Sequence, residues 1–312
     1  MRRRELDLAV LYASLLALLV FAAPGFFTAG NLRDLVVGHA AMLVAATGMT
    51  LVIVAGEIDV SIGSQLAVCG VVAGLVAKAG MPMPLVALAA VVAGALLGAV
   101  NGALVAGLRI PSIVATLATM LVLRDGLRWA TGGAWVQGLP QHFQWFGLSQ
   151  RGGELAIPLA SLAVFGAVAW GARALAAGRA VYATGADAES AELLGLRPRR
   201  VTFWVFVGMG GLSGLAAMLG AVRFSEVQAS AGIGLEMAVI AAVVVGGASI
   251  RGGRGTLFGT LAGVVLLGTV GTALTFLGVS AYWERALQGA IVIAAVAVEA
   301  VGKPARRRAR AA

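Results

Sequence analysis

The chain has 312 residues, of which 60% are hydrophobic and only 12% charged, whereas soluble proteins carry about 25% charged residues. That balance excludes an ordinary globular enzyme, a disordered chain and a disulfide-stapled secreted domain, the last also because Cys69 is the single cysteine. The net charge of +9 does not point to nucleic acid, because the basic residues sit at the ends of apolar runs and in the tails, where they set membrane orientation.

A helical crossing of a bilayer core roughly 30 Å thick takes about 20 apolar residues. Residues 1–7 are basic through Arg2, Arg3 and Arg4, and residues 8–23 are apolar. This start is read as a first span rather than a cleaved signal, because no soluble mature domain follows it. Further spans are expected at about 35–55, 64–79, 84–106, 112–130, 154–172, 201–222, 234–250, 256–277 and 284–301. The runs are continuous and do not alternate with period two, which favours helices over a barrel. The expectation is an all-α integral membrane protein with about ten transmembrane helices in one domain, residues 1–302, and a basic tail at 303–312. With the N-terminus inside, 16 of the 23 basic residues fall on the inner side, so both termini are expected in the cytoplasm. Glycines four apart, as at Gly94, Gly98 and Gly102 or Gly210 and Gly214, let helix backbones approach closely in lipid.

Residues 56–64 read GEIDVSIGS. Two carboxylates, Glu57 and Asp59, stand among Ser61, Gly63 and Ser64 between two apolar runs. The segment reads either as a turn at the membrane edge, with Asp59 or Ser61 capping the next helix, or as part of a translocation path, a gate or a proton relay. Hydroxyls and amides at Ser61, Ser64, Gln65, Asn101, Ser112, Thr116 and Thr119 are of the kind that lines a path for a neutral polyol, or packs between helices. At 131–153 an outer loop follows Trp129 and carries Trp135, Phe143, Trp145 and Phe146. It reads as an aromatic belt at the interface or as a docking surface. Residues 172–200 form the longest inner loop. Gly185-Ala186-Asp187 looks like a turn and helix cap, and 188–194 a short amphipathic helix exposing Glu189 and Glu192. Gly195 ends that helix, and Pro198 stops it from resuming. Such a helix either docks a cytoplasmic partner or is a solvated linker.

Nothing in the chain points to catalysis. Residues 247–254, GASIRGGR, lack the Lys-Ser/Thr of a phosphate-binding loop. There is no G-x-S-x-G elbow and no His/Glu pair of metal-binding type. The run Lys303, Arg306, Arg307, Arg308 and Arg310 beside the last span holds topology and touches anionic lipid.

Several segments together resemble one family. Gly48-Met49-Thr50-Leu51-Val52-Ile53 leads to the 56–64 segment, where Glu57 stands in place of a commoner glycine. Asn101-Gly102 follows, then Arg109-Ile110-Pro111-Ser112-Ile113-Val114-Ala115-Thr116-Leu117 and Val181-Tyr182-Ala183-Thr184-Gly185 with Ala191 and Gly195. Gly246-Gly247-Ala248-Ser249 and Gly252-Gly253-Arg254-Gly255-Thr256 come last. In this order the chain resembles the inner-membrane permease subunits of ABC importers for ribose, autoinducer-2 and rhamnose, of the branched-chain-amino-acid and sugar type. Residues 131–140 and Gly234-Leu235-Glu236-Met237 are most similar to the autoinducer-2 and rhamnose branch.

The resemblance implies a multi-pass subunit of a bacterial inner membrane that forms the pathway for a sugar or sugar-like solute. It implies a second permease, identical or a paralogue, a separate ABC ATPase that binds ATP and Mg, and a periplasmic or lipid-anchored solute-binding protein. No cofactor is implied in this chain. The inner-loop helix would be the coupling element, through Asp187, Glu189, Ala191, Glu192 and Gly195. Glu57, Asp59, Ser61, Ser64, Asn101 and Thr116 are the candidates for pathway or gating. The rival expectation is an ion-coupled secondary transporter using Glu57 or Asp59.

Overall fold

The computed structural model describes residues 2–23 and 25–280 together with 283, 286, 287, 289, 290 and 293. Among them the chain is helical, with no strands beyond a single bridge between Val136 and Val227. The helices are α1 (Arg2–Ala22), α2 (Ala29–Val54), α3 (Ile62–Lys78), α4 (Met83–Gly102), α5 (Ser112–Thr131), α6 (Gln150–Ala174), α7 (Ala176–Ala186), α8 (Ala188–Leu193), α9 (Pro198–Ala221), α10 (Leu235–Val245) and α11 (Leu257–Phe276). A π-helical turn, Ala103–Gly107, extends α4. Among the described residues five helices are long and apolar enough to cross a membrane: Ala29–Val54, Met83–Gly107, Gln150–Ala174, Pro198–Ala221 and Leu257–Phe276. The chain is therefore a multi-pass integral membrane protein. The tenth expected span falls mostly, and the basic tail wholly, outside the described residues.

Small residues draw the helices together, as their spacing predicts. A Cβ on Gly94 would run into the backbone of Gly210, and one on Gly98 into that of Phe206. Helices α4 and α9 thus touch main chain to main chain, and α10 and α11 do the same through Gly246, Gly259 and Gly263. Lipid is as apolar as the side chains, so this close packing supplies the attraction that water would otherwise drive. Polar side chains add ties between helices, such as Thr50 Oγ1 to Thr260 Oγ1 at 2.7 Å.

The eighth apolar run departs from expectation. It was read over 234–250, but α10 has only 11 residues, about 16 Å of helix. Gly246 and Gly247 turn the chain at its end. Before it, non-helical chain runs inward. Val227 packs against Gly70 and Gly74 of α3, and Gly232 reaches Gly63 at the start of α3. Irregular backbone at such depth is tolerated only where protein surrounds it, and Val227 and Ala229 are buried.

The bundle has two distinct ends. One gathers Arg33 with Glu154 at 3.2 Å, Val136 with Val227, and Trp145 N–H donating to the Val222 carbonyl at 2.7 Å. The other gathers the end of α2, the end of α7 and the 251–255 turn. The aromatics of the 131–153 loop divide between two roles. Trp129 and Trp135 are exposed, whereas Phe143 is fully buried and plugs the loop onto the bundle. Trp145 and Phe146 take left-handed φ values of 54° and 60° and are half-buried, so an interfacial belt describes only part of the cluster.

Candidate functional site

Two sites emerge from the residues singled out in the sequence. The first is a buried polar seam where α3 begins. After α2 ends, the chain turns at Gly56, passes irregularly through 57–59 and turns again at 60–61 into α3. Helix α5 clamps this stretch: Ser112 Oγ accepts from the Ile58 N–H at 3.2 Å, and Thr116 Oγ1 from the Val60 N–H at 3.1 Å. Asp59 is wholly buried. Its Oδ1 accepts from both the N–H and the hydroxyl of Ser61, at 2.9 and 2.6 Å. Its Oδ2 accepts from Gln65 Nε2 at 3.0 Å. Asn101 Nδ2 donates to Ser61 Oγ at 2.8 Å and lies 3.5 Å from both Asp59 oxygens. The capping expectation is thus corrected. Ser61 occupies the N-cap position of α3 without a side-chain cap bond, and Asp59 accepts from Ser61 and the Gln65 side chain, not from a backbone N–H of the helix's first turn. The carboxylate satisfies donors from three places in the sequence, as a buried acceptor must.

Of the six pathway candidates, the structure brings Asp59, Ser61 and Asn101 into one network with Gln65. Asn101 sits at the last turn of α4, directly before the π-helical turn, a feature frequent at functional sites. Thr116 holds backbone, and Ser64 Oγ donates to the Met120 carbonyl at 3.0 Å. Glu57 is only partly buried and stands apart from the Asp59 network.

The sequence reading gave neither Arg124 nor Glu236 a functional role. In the structure Arg124 Nε donates to Ser64 Oγ at 3.2 Å, and its Nη2 faces Glu236 Oε2 at 4.0 Å. The available signal was an arginine inside an apolar run, which requires an acidic partner.

The second site is α8. Asp187 is its N-cap: Oδ1 accepts from the Ser190 N–H at 3.1 Å and Oδ2 from the Ser190 hydroxyl at 2.9 Å. Those bonds, the backbone one first, hold the Asp187 carboxyl below its usual range. The cap is therefore complete at neutral pH and is lost only as pH falls through that lowered value. Ala191 is buried, Glu189 and Glu192 are exposed, and Leu193 and Leu194 are 89% and 80% exposed. Gly195 has φ +82°, the left-handed stop that glycine permits at no steric cost. Pro198 acts differently from expectation: it is the first residue of α9 and starts that helix. Gly185 and Ala186, expected in a turn, are the last residues of α7.

Three backbones converge just before α8. The Gly253 N–H donates to the Val54 carbonyl at 2.8 Å, and a Cβ on Gly185 would strike that same carbonyl. Tyr182 OH donates to the Gly255 carbonyl at 3.1 Å. The exposed helix is thus rooted on the last turn of α2, two residues before the stretch that carries Asp59.

The family described as "Branched-chain amino acid transport system / permease component" matches residues 31–296. The ribose import permease protein RbsC of Escherichia coli (strain K12) is 35% identical over 297 residues, 92% of either chain. The autoinducer 2 import system permease protein LsrC of Escherichia coli O157:H7 is 35% identical over 287 residues, 90% of this chain and 84% of that one. LsrC of Salmonella paratyphi B is 35% identical over 257 residues, 81% of this chain and 73% of the relative. No solved structure matches.

Proposed function

This chain belongs to the family of permease components of branched-chain amino acid transport systems, and on that premise we propose that it is the membrane-spanning subunit of an ABC importer for a sugar or sugar-like solute. The observation that carries the reading is α8, a capped helix presenting Leu193, Leu194, Glu189 and Glu192 outward while rooted on the helix that leads into the polar seam. A cytoplasmic ATPase dimer docks on that helix and binds the ATP and Mg. A solute-binding protein delivers from the outside, and a second permease, identical or a paralogue, completes the pathway. Ten spans with both termini in the cytoplasm of a bacterial inner membrane fit this arrangement. The tail at 303–312 then lies against anionic lipid.

Closure of the ATPase dimer moves α8. The contacts of Val54 with Gly185 and Gly253 carry that motion into α2 and residues 56–61, and the bundle alternates about its interface as rigid bodies. The solute class is neutral and hydroxylated, like the ribose and autoinducer-2 in the relatives' names. Nothing favours ion coupling at Asp59, whose carboxylate is occupied by Ser61, Gln65 and Asn101.

The test is uptake into proteoliposomes holding this permease with its ATPase and binding protein, offered labelled ribose, rhamnose or autoinducer-2. One of these is expected to accumulate with ATP inside and to be indifferent to ionophores. Accumulation that follows an ion gradient without ATP would sink the reading.

A further inference from the structure

Arg124 and Glu236 lie outside both the Asp59 network and the coupling helix. They meet where α5, the start of α3 and the start of α10 come together. Their side chains are 17% and 11% exposed, and the facing atoms, Nη2 and Oε2, are 4.0 Å apart. That is too long for the N–H···O⁻ bond of about 2.7–2.9 Å that such a pair forms when it closes. Both atoms are buried, and neither has a hydrogen-bond partner among the described residues. Arg124 is held from behind by Ser64 Oγ, which accepts from its Nε at 3.2 Å.

Glycine at position 63 lets the pair and the 232 turn pack directly against the start of α3. A Cβ on Gly63 would collide with Glu236 Oε2 and the Gly232 carbonyl and would lie 3.1 Å from Arg124 Nη2. Arg124 stands 12 residues beyond Ser112 in α5, about 18 Å along the helix, where the side chains of the pair are largely shut off from solvent. A charged pair withdrawn from water is costly unless it closes and finds further hydrogen bonds, and the facing atoms of this one do neither among the described residues.

A hydroxyl accepts one hydrogen bond and donates another. Placed about 2.8 Å from each of two atoms some 4 Å apart, it takes an N–H from the arginine and gives its own proton to the carboxylate at an angle near 90°. We propose that Arg124 and Glu236 form a hydroxyl-reading subsite for a neutral polyhydroxylated solute crossing this chain. The inference rests on the permease reading and deepens it. Ser64 and Gly63 are positioning residues, the first orienting the guanidinium and the second letting the Glu236 carboxylate lie close against α3.

A water bridge would use the same chemistry, so the experiment separates the two. The complete complex in proteoliposomes is offered whichever of ribose and rhamnose it accumulates, beside that sugar's singly deoxygenated analogues. The double variant Arg124→Met/Glu236→Leu replaces the pair by apolar side chains. A merely structural pair tolerates this, whereas losing one partner leaves an uncompensated charge. If the pair reads solute, the double variant still elutes with its ATPase at wild-type yield. Its uptake nevertheless falls at least 10-fold, and preference for the parent sugar over one deoxy analogue disappears. Glu236→Gln, the mildest change, loses the same preference, so the test survives poor folding of the double variant. Wild-type uptake and unchanged preference in both variants would overturn the proposal and leave the pair as a water-bridged tether. Absence of ATP-driven uptake of either sugar by the wild type would overturn the permease reading for these solutes, and the subsite with it.

Discussion

Asp59 concentrates the constraint of the polar seam in one side chain. An ionised carboxylate only accepts, and here it receives Ser61 twice and Gln65 once, with Asn101 at 3.5 Å. Asp59→Ala strands these donors in the core, where each unsatisfied group costs about 1–3 kcal/mol, so the variant is expected to lose most of its folded yield. Asp59→Asn is milder. Gln65 Oε1 and Asn101 Oδ1 are buried without partners, so a rotated amide at either residue accepts the new N–H. Thermal unfolding of the purified variants in detergent checks the order. Equal loss in both would mean that the charge itself is required. The sequence made Asp59, Ser61, Gln65 and Asn101 visible as polar residues in an apolar chain. Their mutual distances were not legible, because Asn101 comes from a helix two elements away. Arg124 and Glu236 were missed for the same reason: each looks like a span-end charge until the inward run of 223–234 brings Glu236 to α5.

Elements were legible wherever a local rule decides them. Asp187 and Gly195 bound α8 by cap chemistry that depends on a few neighbouring residues, and the structure places both as expected. Elements were misjudged where tertiary packing overrides composition. The run 234–250 is apolar throughout, yet only Leu235–Val245 is helical, because the protein interior shelters the irregular chain on either side. The coupling role proposed for α8 makes a prediction at this scale. No atom lies within 4 Å of a Cβ built on Gly195, so its φ of +82° is the only obstacle to a side chain. Gly195→Val therefore leaves the bundle intact but distorts the end of α8, since β-branched residues are outliers in that region. ATP hydrolysis is expected to continue while uptake drops at least ~10-fold, an uncoupling worth about 1.4 kcal/mol or more at the transport step. Parallel assay of phosphate release and uptake reads this directly. Normal uptake would remove α8 from the coupling path.

At the scale of the whole molecule, the exposed helix, the convergence at Val54, residues 56–61 and the α3–α5–α10 junction form one continuous line of contacts. It joins the end of the bundle where α8 projects to the buried pair of Arg124 and Glu236. Close glycine packing between α4 and α9 and between α10 and α11 supplies stiff bodies on either side, which is what rigid-body alternation needs. The central claim is that this chain works only as one subunit of an ATP-driven assembly. The most direct measurement is gentle purification of the tagged chain from its native membrane, with native mass spectrometry of the particle. The account predicts a complex with two ATPase subunits and two permeases, which also tells a homodimer from a heterodimer. A particle containing this chain alone, still able to move solute in vesicles without ATP, would contradict it.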